Sequence, residues 1–357
     1  MVAARARRRV PGERGDDREL ERRRRAGGVS VAGRRKQGKP VGPTLAHRVE
    51  YLLARGLESL VSALPEGAAD RLGGGVGRLV ESLGIRRSAV EANLRIAFPD
   101  APEEWIRETA RAAYRHLGRE AAAILRLSRL DPQAIVERTE TRGWEDLLDA
   151  LAEGNGALLV TGHYGNWEIA AATVASRGVP VAAIVKRMGN RLVDARLEEL
   201  RRRLGVESIE MRDAPRQVPR VLKENGVVGI VADQDARGSG VFVPFFGRPA
   251  STHRGPALFA LRLGAPVFAC TARRKPGPEV RYEVYGHRVP VRRTGDLEAD
   301  VLHLTGELAT ALEDDVRAAP EQYFWFHRRW KTAPPAEPPR GTGGTSSVTE
   351  GTSPRPG

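Results

Sequence analysis

Cysteine is nearly missing from this chain: Cys270 is the single one in 357 residues. That excludes an intrachain disulfide framework and a Cys-rich metal site, and it fits a reducing compartment. Cys270 lies in the run Pro266-Val267-Phe268-Ala269-Cys270-Thr271, which reads as a buried strand, so a packed inert thiol is expected there rather than a nucleophile. No window of about 18 uninterrupted apolar residues occurs, so no transmembrane helix is expected. There is no P-loop, no Gly-x-Gly-x-x-Gly fingerprint, no His-Glu-x-x-His and no Gly-x-Ser-x-Gly elbow. A phosphate cradle, a zinc pair on a helix and an activated serine therefore have no obvious carrier. Few aromatics are interleaved with the charges and no groove-reading motif follows, so nucleic acid is not an expected partner.

What is present is a soluble-looking globular composition, 41% hydrophobic and 29% charged, on a chain long enough for one large domain or two small ones. The net charge of +13 is unevenly spread: residues 1–39 hold 14 Lys/Arg against 5 Asp/Glu, which is +9 of that total. A basic arm over 1–43 with few apolar residues is expected to be disordered and attractive to an anionic membrane surface. It lacks the apolar segment of a secretory signal. Behind it, Leu45, Val49, Leu52, Leu53, Leu57, Leu60, Val61 and Leu64 recur at helical spacing, opposite Arg48, Glu50, Arg55, Glu58 and Ser59. Such a stripe ordinarily faces a core; the adjacent basic arm makes membrane contact the competing reading.

Residues 44–130 read as mainly helical, with one helix stopped at Phe98-Pro99 and the next opened by Pro102-Glu103-Glu104. From Trp144 onward the pattern alternates. Strands are expected at 157–161, 179–186, 207–211, 227–232 and 266–271, with helices at 191–204, 215–225 and 255–263 between them. A further strand is expected at 280–289, antiparallel at an edge, and a closing helix at 297–318. Helical segments of this length between strands indicate an α/β fold, a layered α/β/α sheet covered on both faces and preceded by a helical N-terminal part. The expected domain is thus 44–332, helical to 130 and α/β from 131, with a Pro/Gly/Ser/Thr-rich disordered tail over 333–357.

The chemistry concentrates after the first of these strands, in Thr161-Gly162-His163-Tyr164-Gly165-Asn166-Trp167-Glu168. A histidine in a glycine-lined turn, with a carboxylate five residues on, offers a His163–Glu168 dyad. The plain alternative is a surface turn and an acid placed well in a first helical turn. Asp233 and Gln234 end another strand and Lys186-Arg187 with Asn190 a third, where ligands gather in open α/β sheets. Each has a plain reading too, as a turn cap or a solvated arginine. Asn166 stands beside the histidine turn. Arg273 and Arg274 follow the Cys270 strand with the same ambiguity. Near the C-terminus, Tyr323-Phe324-Trp325-Phe326-His327-Arg328-Arg329-Trp330-Lys331 alternates aromatic and basic residues. It suits an interfacial or phosphate-binding edge, or a last segment docked on the core.

Five separated segments, in order, resemble the late acyltransferases of lipid A biosynthesis within the lysophospholipid acyltransferase superfamily. They are Asn93-Leu94-Arg95-Ile96-Ala97-Phe98-Pro99, Gly162–Glu168, Asp233-Gln234, Phe242–Gly247 and Glu321–Lys331. The resemblance implies a glycerol-phosphate-acyltransferase-like fold and O-acylation without metal or redox cofactor. His163 would take the proton of an acceptor hydroxyl that attacks the thioester of acyl carrier protein or acyl-CoA. Glu168 would orient the imidazole, and Arg187 or turn N–H groups would stabilise the oxyanion. Asn166, Asn190, Asp233, Gln234, Arg273, Arg274 and Arg328 are the expected substrate-binding residues. The implied acceptor is a lipid A precursor at the cytoplasmic face of the inner membrane, and the charged arm in place of an apolar anchor implies peripheral attachment. Rival expectations are another glycolipid such as a phosphatidylinositol mannoside, thioester hydrolysis, and a catalytically silent lipid-binding relative.

Overall fold

In Ala157-Leu158-Leu159-Val160-Thr161 every second side chain enters a different core. Leu158 and Val160 pack on one side of a sheet, Ala157 and Leu159 on the other. This near-continuous apolar run is what a parallel strand covered on both faces requires. In the computed structural model it is β2, and residues 42–127 and 129–335 are described. The expected basic arm, up to residue 41, and the expected tail, from 336, lie outside the described residues. The chain clusters into two units, Met1–Thr44 and Leu45–Gly357, and the second holds every helix and strand among the described residues.

Four helices come first, α1 (Leu45–Ala63), α2 (Glu66–Ser82), α3 (Arg87–Ala97) and α4 (Glu103–Leu127), then α5 (Pro132–Arg138). After β1 (Thr139–Arg142) and α6 (Trp144–Ala152), strands and helices alternate: β2 (Ala157–Thr161), α7 (Trp167–Ser176), β3 (Val181–Val185), α8 (Arg191–Arg203), β4 (Val206–Glu210), α9 (Ala214–Lys223) and β5 (Val227–Val231). A hairpin, β6 (Val241–Phe245) and β7 (Arg248–Thr252), precedes α10 (Gly255–Leu263), β8 (Val267–Arg274), β9 (Tyr282–Val289) and α11 (Leu297–Ala318). Seven strands form one sheet in the order β1-β9-β8-β2-β5-β3-β4, and β6-β7 stand apart as a two-stranded sheet. β2, β3, β4, β5 and β8 run parallel, whereas β9 is antiparallel to β8 and parallel to β1. The fold is α/β with a mostly parallel mixed sheet. The 280–289 strand is antiparallel as expected but is not the edge, because the polar Thr-Glu-Thr-Arg of β1 pairs outside it.

α9, α10 and α11 cover one face through Val218, Val221, Leu222, Ala257, Ala260, Val301 and Leu304. α6, α7 and α8 cover the other through Leu147, Ala150, Ile169, Val174, Leu200 and Leu204. A third core joins α3 and α4 to the β6-β7 hairpin and the final segment, with Leu94, Tyr114, Phe245 and Trp325 in its centre. α2 and α4 cross so closely that a Cβ on Gly77 would lie 2.1 Å from the Tyr114 carbonyl oxygen, and one on Gly73 2.5 Å from that of Gly118.

α1 reverses the usual reading of its stripe. It rests on α8 through a buried acid, Glu58, held by Arg196 at 3.1 Å and by Arg55 at 2.5 Å. Leu45, Leu52, Leu53 and Leu60 point outward, 79%, 67%, 68% and 51% exposed.

Candidate active site

Parallel register builds the centre of the site. Thr161 of β2 is paired with Val231 of β5, so the residues two positions beyond each strand end, His163 and Asp233, leave the sheet side by side. His163 Nδ1 lies 2.7 Å from Asp233 Oδ1. With the proton on Nδ1 shared with this carboxylate, Nε2 keeps its lone pair. Burial alone would lower the His163 pKa; the Asp233 charge and hydrogen bond outweigh it and raise it above the ordinary histidine value. Burial pushes Asp233 the other way, but the His163 imidazole holds it down at about 2. The acid is therefore a permanent anion beside an imidazole that it orients and renders more basic.

The turn that carries His163 is stitched from three directions. Gly165 has φ +56° and donates its N–H to the Gln322 carbonyl at 2.9 Å, Asn166 N–H goes to the Ala272 carbonyl at 2.9 Å, and the His163 carbonyl accepts from Phe324 N–H at 2.9 Å. A Cβ at Gly165 would come within 1.9 Å of the Ala272 oxygen, so only glycine fits. Trp167 and Phe324 hold the ring between them, with centroids 4.9 and 5.8 Å away.

The carboxylate five residues on is elsewhere. Glu168 is buried in the first turn of α7 and takes a bidentate ion pair from Arg201 of α8, at 2.5 and 3.0 Å. The His163–Glu168 contact expected from spacing is replaced by His163–Asp233. The physical reason is the helix: with Asn166 capping α7 through Ile169 N–H at 3.0 Å, Glu168 joins the side that packs toward α8.

The other expected residues separate into two groups. Asp233 and Gln234 meet at the histidine, with Gln234 Nε2 3.5 Å from His163 Nε2. Asn166 caps α7 and donates to Glu120 at 2.8 Å. Arg274 is buried on Glu120 at 3.0 Å and Asp70 at 2.6 Å, bracing α4 and α2 against the end of β8. Arg273 pairs with Glu283 at 2.6 Å. Asn190 caps α8 through Leu192 N–H at 3.1 Å and donates to the His47 carbonyl and to Glu50, each at 2.9 Å, tying α1 down. Arg187 is half exposed on an ion pair with Glu210. Arg328 stands exposed. Among these, only Asp233 and Gln234 are hydrogen-bonded to His163.

Spacing also missed several supports. Asn93, in the helix before Phe98-Pro99, donates to the Trp325 and His327 carbonyls at 2.7 and 2.6 Å and fixes the final segment. Trp325 is fully buried, so that aromatic run docks on the core, one of the two roles expected of it from the sequence. Arg329 beneath it bonds the Ser251 carbonyl at 2.7 Å, and Arg201 is the partner of Glu168. A cleft of about 320 Å³ opens beside His163, walled by α4 and the final segment and mainly apolar, with Leu117, Ala121, Ile124, Trp167, Phe324 and Phe326 in its lining.

An α/β sheet with a carboxylate-oriented histidine at its strand ends, beside an apolar cleft, has the arrangement needed to move a proton next to an apolar ligand. Residues 42–332 match the model of the bacterial lipid A biosynthesis acyltransferases, and the chain belongs to that family. It is similar to the lipid A biosynthesis lauroyltransferase of Escherichia coli, 29% identical over 291 residues, covering 81% of this chain and 93% of that one. It is also similar to the phosphatidylinositol mannoside acyltransferase of Mycolicibacterium smegmatis, 30% identical over 219 residues, 58% of this chain and 70% of the relative. The lipid A biosynthesis myristoyltransferase of Escherichia coli is 27% identical over 272 residues, 75% of this chain and 81% of the relative. The chain is an acyltransferase of this lipid A type.

Proposed function

We propose that this acyltransferase moves a fatty acyl chain from a thioester, on acyl carrier protein or coenzyme A, to a hydroxyl of a lipid A precursor, with His163 as general base. The observation that carries this reading is the 2.7 Å His163–Asp233 hydrogen bond, which leaves the Nε2 lone pair at the apolar cleft with the Gln234 amide at 3.5 Å, a long contact that an acceptor hydroxyl would displace. Nε2 takes the acceptor hydroxyl proton as the oxygen attacks the thioester carbonyl. The C–S bond then breaks, and the imidazolium returns the proton to the leaving thiolate. Asp233 stabilises the imidazolium, as a buried carboxylate does in other histidine-based transfers. The side-chain amide of Gln234, 3.5 Å from Nε2, is the donor assigned to the oxyanion. The N–H groups of Gly165 and Asn166 are already spent on carbonyls. Glu168, through Arg201, locks α7 and hence the turn, a positioning role.

The outward leucines of α1 support peripheral attachment to an anionic membrane surface, where a glycolipid acceptor is presented, and no helix among the described residues is long and apolar enough to cross a membrane. The similarity to phosphatidylinositol mannoside acyltransferases favours a mannosyl glycolipid as a second reading of the acceptor. The test is acyl transfer by purified protein from labelled acyl carrier protein to an under-acylated lipid A precursor, and in parallel to a phosphatidylinositol mannoside, read by mass spectrometry. One added chain, lost in His163→Ala, is expected on one acceptor. An unchanged rate in His163→Ala would overturn the base assignment.

A further inference from the structure

Gln234, the donor assigned to the oxyanion, sits in a loop between β5 and the β6-β7 hairpin that is pinned at both ends. Ala232 N–H donates to the Thr161 carbonyl at 3.0 Å, and Ala236 N–H to the Ser251 carbonyl at 3.2 Å. Between these pins, the peptide joining Gln234 to Asp235 is held by a side chain. Asp235 N–H donates to Nε2 of His327 at 2.9 Å, 92 residues further along the chain. From the same final segment, the Thr332 hydroxyl donates to the Asp235 carboxylate at 2.9 Å.

His327 is itself fixed. Its carbonyl accepts from Asn93 at 2.6 Å. Two residues on, Arg329 donates to the Ser251 carbonyl at 2.7 Å, the same oxygen that takes Ala236 N–H. To accept from an amide, Nε2 must carry no proton, so the ring is neutral with its hydrogen on Nδ1. Burial, together with the charges of Arg329 and His163, brings its pKa below the ordinary histidine value, against Asp233 and Asp235, which raise it. The His163 pKa is shifted the other way. His327 therefore keeps its acceptor through the pH range in which His163 takes up its proton. A donor aimed at a developing oxyanion is sensitive to such anchoring, because a shift of about 1 Å can cost about 10²-fold in rate.

We propose that His327 is a positioning residue: by accepting the Asp235 N–H it fixes the Gln234–Asp235 peptide and so holds the Gln234 amide beside His163 Nε2. Its part in catalysis rests on the acyl-transfer reading; the anchoring of the loop does not. Glutamine and asparagine distinguish this role from packing. A glutamine at 327 can place its Oε1 where the imidazole has Nε2, whereas an asparagine ends one bond short of the Asp235 N–H.

The experiment measures kcat and KM for transfer from labelled acyl carrier protein to whichever of the two acceptors takes the chain. The proteins are wild type, His327→Asn and His327→Gln, each with and without Gln234→Ala. His327→Asn should lower kcat about 10- to 100-fold and move KM by less than about twofold, while His327→Gln should recover most of the rate. In the Gln234→Ala background His327→Asn should cost little more, because the group it positions is gone. The same loss in both backgrounds, a glutamine variant no better than the asparagine one, or a full rate in His327→Asn would overturn the proposal. Amide exchange of the 232–236 loop, read by mass spectrometry, needs no turnover. Asp235 N–H should exchange about tenfold faster in His327→Asn than in wild type or His327→Gln, and unchanged exchange would overturn the anchoring itself. A wild type that transfers nothing while its loop responds in this way defeats the acyl-transfer reading and leaves the anchoring standing.

Discussion

Two carboxylates compete for the description of His163, and their surroundings decide between them. Asp233 has its charge held against the ring, whereas Glu168 has its charge neutralised by Arg201 on the far side of α7. Asp233→Asn tests this with a pH profile. The proposed base is active only when neutral, so the rate climbs as pH rises through a His163 pKa that Asp233 keeps above the ordinary value. Removing the charge leaves burial, which lowers that pKa. The acid limb should therefore move to lower pH while the plateau falls by about 10²–10⁴-fold, the usual share of acid–base assistance. A plateau reduced without movement of the limb would mean that Asp233 does not set the basicity of the ring.

At the scale of elements, the close crossing of α2 and α4 is the joint most sensitive to one added carbon. A Cβ at Gly77 meets backbone of Tyr114 at 2.1 and 2.8 Å, atoms that cannot rotate away, while a Cβ at Gly75 in the same helix meets nothing within 4 Å. Gly77→Ala should cost about 1–3 kcal/mol, and Gly75→Ala should gain about 0.5–1 kcal/mol from helix propensity alone. Thermal or urea unfolding of the pair measures the difference; equal shifts would mean that the helices part to admit the methyl. Periodicity makes the long elements legible: the run at 157–161 alternates between two cores, and the expected closing helix at 297–318 coincides with Leu297–Ala318. β1 escapes because Thr-Glu-Thr-Arg carries no apolar signal, and β6-β7 because Pro244 and Pro249 interrupt it on an isolated hairpin. The histidine turn is legible from its glycines and position, but its partner is not. His163 and Asp233 are 70 residues apart, and only the strand register, Thr161 against Val231, brings them together.

Across the whole molecule, exposed apolar side chains are found on α1 and also at Val76, Leu79, Leu83 and Ile85, on and after α2. The same two helices carry exposed arginines, Arg48, Arg71 and Arg78. Exposed leucines beside exposed arginines suit the peripheral attachment to an anionic bilayer proposed above. Replacing both Leu52 and Leu53 by Glu should sharply reduce sedimentation with phosphatidylglycerol vesicles and leave the thermal midpoint unchanged, because neither side chain is in a core. Equal sedimentation would remove α1 from the attachment. The site has its own whole-chain character. Gln322, Phe324 and Phe326 complete the histidine turn and the cleft wall from the last described stretch of sequence, roughly 160 residues after His163. On the ribosome, then, the sheet can assemble while the histidine still lacks its final wall. A chain clipped before residue 320 would keep all nine strands of the described residues and lose the backbone bonds from Gln322 and Phe324 that hold the His163 turn.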